Sequence, residues 1–270
     1  IYIGPFKDEL KHGGEGVMFY PADGFILKDE FLDDAPALNN ANSKEDALDY
    51  VNELRSIYSN NYKRLEYDDD SVYTYYIGEI KNDAPHGNGI LYHRDGYFAG
   101  QFEDGTLNGF GFEHITKNEG EWMIIGQYEN GSPTYGQLRQ WDDNGLTQYW
   151  GEFKVNELGD RLRHGYGTLT YGDYDFTQQI IYSGEFRDHY HTVGTMIWPD
   201  GSYYYGEFLY GQRDGYGIFI QYDGSYDYYG YFKDGLEQGK GTSMKYINNE
   251  WKLVKVESCF GKVISSVILD

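Results

Sequence analysis

Tyr76-Ile77-Gly78-Glu79-Ile80 opens a phrase that continues with His86-Gly87-Asn88-Gly89 and closes on Asp95-Gly96. Its first five residues are an aromatic, any residue, glycine, any residue and a second bulky apolar group. That pattern occurs eight times. The other copies are Tyr2-Ile3-Gly4-Pro5-Phe6, Phe98-Ala99-Gly100-Gln101-Phe102, Ile124-Ile125-Gly126-Gln127-Tyr128, Tyr149-Trp150-Gly151-Glu152-Phe153, Tyr182-Ser183-Gly184-Glu185-Phe186, Tyr204-Tyr205-Gly206-Glu207-Phe208 and Tyr228-Tyr229-Gly230-Tyr231-Phe232. Neighbouring central glycines are mostly 22 to 26 residues apart. A fixed period of this size is the signature of a repeat architecture. Repeat proteins of this kind usually offer surfaces to other molecules rather than pockets for chemistry.

The second half of the unit is as regular. A Gly-x-Gly follows at Gly87-Asn88-Gly89, Gly109-Phe110-Gly111, Gly165-Tyr166-Gly167, Gly215-Tyr216-Gly217 and Gly239-Lys240-Gly241. Turn pairs Asp23-Gly24, Asp95-Gly96, Asp200-Gly201 and Asp223-Gly224 come next. Asp-Gly between apolar runs signals a hairpin, because both residues tolerate positive φ. Each unit therefore reads as a β-hairpin, and successive hairpins are expected to join edge to edge into one antiparallel sheet. Strand alternation puts residues 76, 78 and 80 on one face and 77 and 79 on the other. The first face carries bulky groups separated by a bare glycine, over which a neighbouring ring can lie flat. Such cover offsets the weakness of strand glycine and helps explain 30 Tyr and 36 Gly in 270 residues. On the other face Glu79, Glu152, Glu185 and Glu207 follow the glycine, with Lys81, Lys154 and Arg187 two residues on. They read as a solvated face with weak cross-strand ion pairs, not as a catalytic acid pair, since nothing beside them supplies a pocket.

These residues resemble the MORN repeat (membrane occupation and recognition nexus), whose pattern runs Tyr-x-Gly-x-Phe, a short turn, His-Gly-x-Gly, and a turn with Asp-Gly. Tyr76 to Gly96 matches nearly throughout. Tyr149 to Gly172 also matches, through His164-Gly165-Tyr166-Gly167 and a longer connecting turn. The fourth copy keeps only Gly136 of its Gly-x-Gly, the sixth only Gly194, and the first has an extra residue in Gly13-Gly14-Glu15-Gly16. Distortion or bends are expected there. The resemblance implies an all-β fold: an elongated, single-layer antiparallel sheet of about eight stacked hairpins, with an aromatic groove. It implies scaffold, assembly or membrane-proximal roles and does not imply an activity. The groove residues are Phe153, Phe186, Phe208 and Phe232 at the closing positions and Tyr149, Tyr182, Tyr204 and Tyr228 at the opening ones. An apolar face of this size is rarely left open in a monomer. A partner protein segment, an amphipathic helix or strand with basic flanks, is therefore expected along repeats five to eight.

The organisation expected is a first hairpin at 1–24, an insertion at 25–75, repeats two to eight at 76–246 and capping strands at 247–270. Within the insertion, Ser43-Lys44-Glu45-Asp46 resembles a capping box. Ala47, Leu48, Val51, Leu54, Ile57 and Tyr58 then keep helical spacing, which predicts a helix near 44–60. It either fills the groove or binds a partner. In the tail, Trp251 to Val256 and Gly261 to Leu269 read as strands that cover the sheet end. The chain begins inside a repeat and reads as part of a longer protein.

The formal net charge of −22 argues against nucleic acid, and similarly against docking on anionic lipid. One cysteine, Cys259, excludes an internal disulfide and favours a reducing compartment. It reads as a small core residue. No apolar run is long enough for a membrane helix, and no signal peptide is visible. Gly239-Lys240-Gly241-Thr242 lacks the spacing and the strand–helix context of a phosphate loop. His12, His86 and His164 occupy the repeat's own turn, and His189 and His191 form at best a weak two-ligand site. No catalytic, cofactor or metal residues are assigned. The leading expectation is a non-enzymatic adaptor, cytoplasmic, with a ciliary axoneme or other cytoskeletal assembly as the setting the family analogy offers. A membrane-proximal lipid-recognition module and the regulatory part of a larger enzyme are the alternatives.

Overall fold

A computed structural model describes residues 62–269, apart from 69, 118–119, 143–144 and 173–177, together with six short strands among residues 1–36. All regular structure among the described residues is β-strand. The expected helix near 44–60 lies outside them. The chain divides into two compact units, Ile1–Thr134 and Tyr135–Asp270.

The first unit begins with β1 (Tyr2–Ile3), β2 (Phe6–Lys7), β3 (Leu10–Lys11), β4 (Glu15–Tyr20), β5 (Phe25–Leu32) and β6 (Ala35–Pro36). One sheet has the order β1-β4-β5-β6, and β2 pairs with β3. A larger antiparallel sheet follows. It consists of β7 (Lys63–Glu66), β8 (Tyr73–Lys81), β9 (Ala84–His93), β10 (Gly96–Glu103), β11 (Thr106–Lys117) and β12 (Gly120–Glu129), paired in chain order. The second unit holds most of β13 (Ser132–Asp142), then β14 (Gly145–Val155), β15 (Arg161–Gly172), β16 (Ile180–Arg187), β17 (Tyr190–Ile197), β18 (Tyr203–Leu209), β19 (Gln212–Ile220), β20 (Asp227–Lys233), β21 (Leu236–Ile247), β22 (Glu250–Cys259) and β23 (Lys262–Ile268). Each pairs antiparallel with the next. The expectation of an all-β antiparallel sheet built hairpin by hairpin is met. The two tail segments read as strands fall in β22 and β23.

The turns differ from the sequence reading. The tight two-residue hairpin turns lie between the aromatic strand and the Gly-x-Gly strand, at Asn82-Asp83, Asp104-Gly105, Asp188-His189, Tyr210-Gly211 and Asp234-Gly235. Both residues of each pair have positive φ. That is the type I′ geometry, whose twist matches that of the flanking strands. Asp200-Gly201 and Asp223-Gly224 belong to wider turns in which only the glycine is left-handed. Each aspartate there accepts from a backbone N–H two residues on, Ser202 to Asp200 and Ser225 to Asp223, both at 2.9 Å. Asp-Gly marked turns correctly but not their type, because an aspartate that caps its own turn needs no left-handed backbone.

The core of the sheet in unit two lies on one face. In β18 the burial alternates strictly, with Tyr204, Gly206 and Phe208 buried and Tyr203, Tyr205, Glu207 and Leu209 exposed.

Candidate functional site

The strand registers place Gly151, Gly167, Gly184, Gly194, Gly206, Gly217, Gly230 and Gly241 opposite one another in a continuous row. The opening tyrosine of each aromatic strand lies over this row. A methyl group on Gly206 would come within 2.5 Å of the Tyr204 hydroxyl and 2.6 Å of the Tyr216 carbonyl oxygen, and one on Gly217 would run into the Tyr204 ring. Tyr149 covers Gly151 and Gly167 in the same way, and Tyr76 covers Gly78 and Gly89 in unit one. A glycine pair is therefore the receptacle for one tyrosine ring. Each hydroxyl finds a carbonyl three residues on: Tyr149 donates to Glu152 at 2.7 Å, Tyr182 to Glu185 at 2.8 Å, and Tyr204 to Glu207 at 3.0 Å. Burial pushes the Tyr204 hydroxyl up to about 12 and those of Tyr76, Tyr149 and Tyr182 upward as well. They remain neutral donors at neutral pH.

The closing phenylalanines complete the packing. Tyr149 meets Phe153 and Phe186 edge-on, with ring centres 5.2 Å apart in both pairs. Tyr182 sits between Phe186 at 5.0 Å and Phe208 at 5.4 Å. Tyr204 sits between Phe208 at 5.0 Å and Phe232 at 4.9 Å, and Tyr228 closes on Phe232 at 5.2 Å. Tyr149, Tyr182 and Tyr204 are thus each held by their own phenylalanine and by that of the next repeat, and Tyr228 by its own, in the edge-to-face geometry aromatic pairs prefer.

The sequence model of the MORN repeat matches residues 76–96, 98–117, 162–176, 182–203, 204–226 and 228–244. The chain is a MORN-repeat protein. Family membership supports a structural or membrane-associated repeat module of a generally non-catalytic kind. No curated protein matches the chain. The fourth aromatic strand, where Ile124 replaces the opening tyrosine, falls outside the matched segments. There the closing Tyr128 takes over part of the cover, with its ring against Gly111.

All eight residues read from the sequence as a groove belong to this one chain of rings. Tyr149, Tyr182, Tyr204, Tyr228, Phe186 and Phe232 are at most 1% exposed, and Phe153 and Phe208 are 8% and 6% exposed. The rings of successive MORN hairpins fill the groove themselves.

The glutamates after the glycine are not simply solvated. Between Gly151 and Phe153 the register shifts by a bulge. Opposite it, Gly165 takes a left-handed φ of +61°, which the first glycine of Gly-x-Gly permits. The Glu152 carboxylate accepts the N–H of Tyr166 there at 3.0 Å. Glu79 does the same for Asn88 at 3.2 Å, and Gln101 for Phe110 at 3.1 Å. Lys154 pairs with Asp188 in the next hairpin at 3.3 Å, not with a glutamate of the row. The cross-strand Glu–Lys pairs read from the sequence give way to a carboxylate that latches the bulge, because that N–H is left out of the ladder.

The opposite face of unit two carries a second row, in which Thr195, Tyr205, Ile218, Tyr229, Thr242 and Lys255 stand side by side. Tyr205 is 53% exposed, and Trp150, Val193, Ile197, Tyr203 and Tyr216 are exposed beside or along it. A cleft of about 460 Å³ opens there over Tyr229, Thr242, Lys255 and Val267. In unit one the equivalent positions Ile90, Ala99 and Phe112 are buried, and Tyr62, Tyr92 and Tyr97 pack against the first two. Sequence reasoning passed over this row, although its signal was present: the residue between the tyrosine and the glycine is itself aromatic in Tyr149-Trp150-Gly151, Tyr204-Tyr205-Gly206 and Tyr228-Tyr229-Gly230.

A third row lies opposite the closing phenylalanines: Arg163 faces Phe153, His191 faces Phe186, Arg213 faces Phe208 and Glu237 faces Phe232. The Arg213 guanidinium lies over the rings of Phe219 and Phe232, 5.0 and 5.1 Å from their centres, and donates to the carbonyl of Gly235. His191 stacks on Tyr182 with ring centres 4.0 Å apart, while His189 Nδ1 accepts the N–H of Arg163 at 3.3 Å. The two histidines therefore serve different packing roles instead of converging as a ligand pair. Among the described residues no group of three His, Cys, Asp or Glu side chains could hold a metal ion.

Proposed function

We propose that this MORN-repeat protein is a non-enzymatic scaffold that binds a partner protein across the face opposite the rings in unit two. The observation that carries this reading is the row through Tyr205, Ile218 and Tyr229, in which Tyr205 is exposed and the other two are half-buried, with exposed Trp150, Tyr203 and Tyr216 on the same face. At the same repeat positions in unit one, Tyr62, Tyr92 and Tyr97 pack on Ile90 and Ala99, which supports an aromatic or aliphatic occupant. The matching partner segment presents aromatic or aliphatic groups at strand or helix spacing and carries basic flanks that complement a net charge of −22. That charge disfavours nucleic acid and anionic bilayers as partners. The self-filled ring groove supplies the rigidity that a scaffold needs. The cytoplasm, and a ciliary or other cytoskeletal assembly within it, is the setting we propose by family analogy.

The test compares variants in binding to extract of the source organism. Tyr205→Ala with Tyr229→Ala is expected to lose the retained proteins at least tenfold, while Lys252→Ala retains them. Retention unaffected by the double variant overturns the choice of face. Flotation of the wild type with anionic vesicles would instead favour the membrane-proximal alternative.

A further inference from the structure

The third row is completed in one place and incomplete in another. Toward its far end Arg213 is satisfied by the Gly235 carbonyl and by the faces of Phe219 and Phe232. Glu237, the next member of the row, is buried, accepts the Tyr226 hydroxyl at 2.5 Å, and acts electrostatically on Arg213. Arg163 occupies the corresponding position two hairpins earlier, but its next row neighbour is His191. Its guanidinium is largely buried, which lowers its proton affinity, and its Nε has no partner and no contact with solvent. The Nδ1 of His191 is likewise buried without a partner. The acids of the adjoining turn are engaged elsewhere: Asp188 by Lys154 and His164, and Asp160 by Asn156. A buried guanidinium without a counter-charge is costly, and an unmet buried donor adds roughly 1–3 kcal/mol.

We propose that Arg163 and His191 together form a receptor for a carboxylate, supplied either by an acidic side chain of a partner segment or by a small free acid. The two groups themselves identify the chemistry, since a cation with an unmet Nε–H beside an imidazole with an unmet nitrogen calls for an anion that accepts hydrogen bonds. The planar guanidinium matches a carboxylate's two oxygens better than a point charge would. This site lies on the ring side of the sheet and is independent of the docking face proposed above.

Proton linkage follows from the neighbours. Burial first, and the Arg163 charge second, push His191 down to about 4. The other charged groups on the strands flanking it and in the preceding turn are Glu185 and Arg187 on β16, Glu207 on β18, and Asp188 and His189 in the turn. A bound carboxylate favours the imidazolium, raises the His191 midpoint, and therefore binds more tightly as pH falls from 7 toward 5.5.

The experiment titrates the whole protein with acetate at pH 7.0 and 5.5, against chloride at equal ionic strength. The Arg163 Nε–H and His191 ring resonances are followed by NMR. Saturable shifts of both signals, several-fold tighter at pH 5.5 and absent with chloride, are expected. Arg163→Lys, which keeps the charge but loses the fork, is expected to weaken binding at least fivefold. A blocked aspartate, N-acetylaspartamide, separates the sources. If it shifts the same signals, a partner's side chain can reach the site, and if only acetate does, the ligand is a small free acid. No saturable shift in the wild type, or an unchanged titration in Arg163→Lys, overturns the proposal.

Discussion

A pair of glycines in this fold does the work usually done by a pocket. Gly206 and Gly217 are opposed in the ladder, and the Tyr204 ring lies across both with its hydroxyl on the Glu207 carbonyl. Neither glycine needs unusual dihedral angles for this role; what matters is the missing side chain. Gly206→Val is therefore expected to cost about 3 kcal/mol or more, toward the upper end of overpacking effects, because the clash includes backbone atoms that cannot swing away. Glu207→Gln, one residue on and exposed on the other face, is expected to change stability by about 0.5 kcal/mol or less. Urea denaturation of the two variants measures the contrast, and equal effects would refute the assignment of faces.

At the scale of the hairpin, the bulge and its latch belong together. The left-handed Gly165 turns the strand, and the turned strand leaves the Tyr166 N–H for Glu152 to accept. Glu152→Ala is expected to lower stability by about 1 kcal/mol, the size of a partly exposed charged hydrogen bond. Amide exchange at Tyr166 is expected to accelerate at the same time. Protection of that amide unchanged in the variant would show that the carboxylate contributes nothing to the bulge. The hairpins, their period and the covering of glycine by rings were legible in the sequence, because alternation and spacing fix which side chains share a face. The latch was not, since a glutamate beside a lysine on a strand reads equally well as an ion pair until the bulge is seen. The filling of the groove was not legible either. Residues 149 and 186 are far apart in the chain, and only the register brings their rings to 5.2 Å. Nor did the sequence separate the two kinds of turn, because Asp-Gly suits both.

For the whole molecule the dominant quantity is charge. With 44 acidic against 22 basic residues, the folded chain repels itself at neutral pH, and added salt screens that repulsion over about 10 Å at 0.1 M. The melting temperature at pH 7 is expected to rise by several degrees between 10 mM and 300 mM sodium chloride. A fall would mean that favourable ion pairs such as Lys233–Asp214, at 2.7 Å, outweigh the excess of like charge. The two compact units share this imbalance but differ in their finish. On the face opposite the rings Ile90, Ala99 and Phe112 are buried in the first unit, whereas Tyr205 is exposed in the second, which is the ground for the docking face proposed above.

The interlocked rings also bear on how such a chain can change over generations. Because Tyr149, Tyr182 and Tyr204 are each completed by the next repeat's phenylalanine, a duplicated block of one period arrives with the half-site it needs at both junctions. Copying or losing a whole unit leaves every ring seated, whereas an insertion of half a period strands a tyrosine beside no phenylalanine. Lineages should accordingly differ in the number of repeats far more readily than in the length of any one of them.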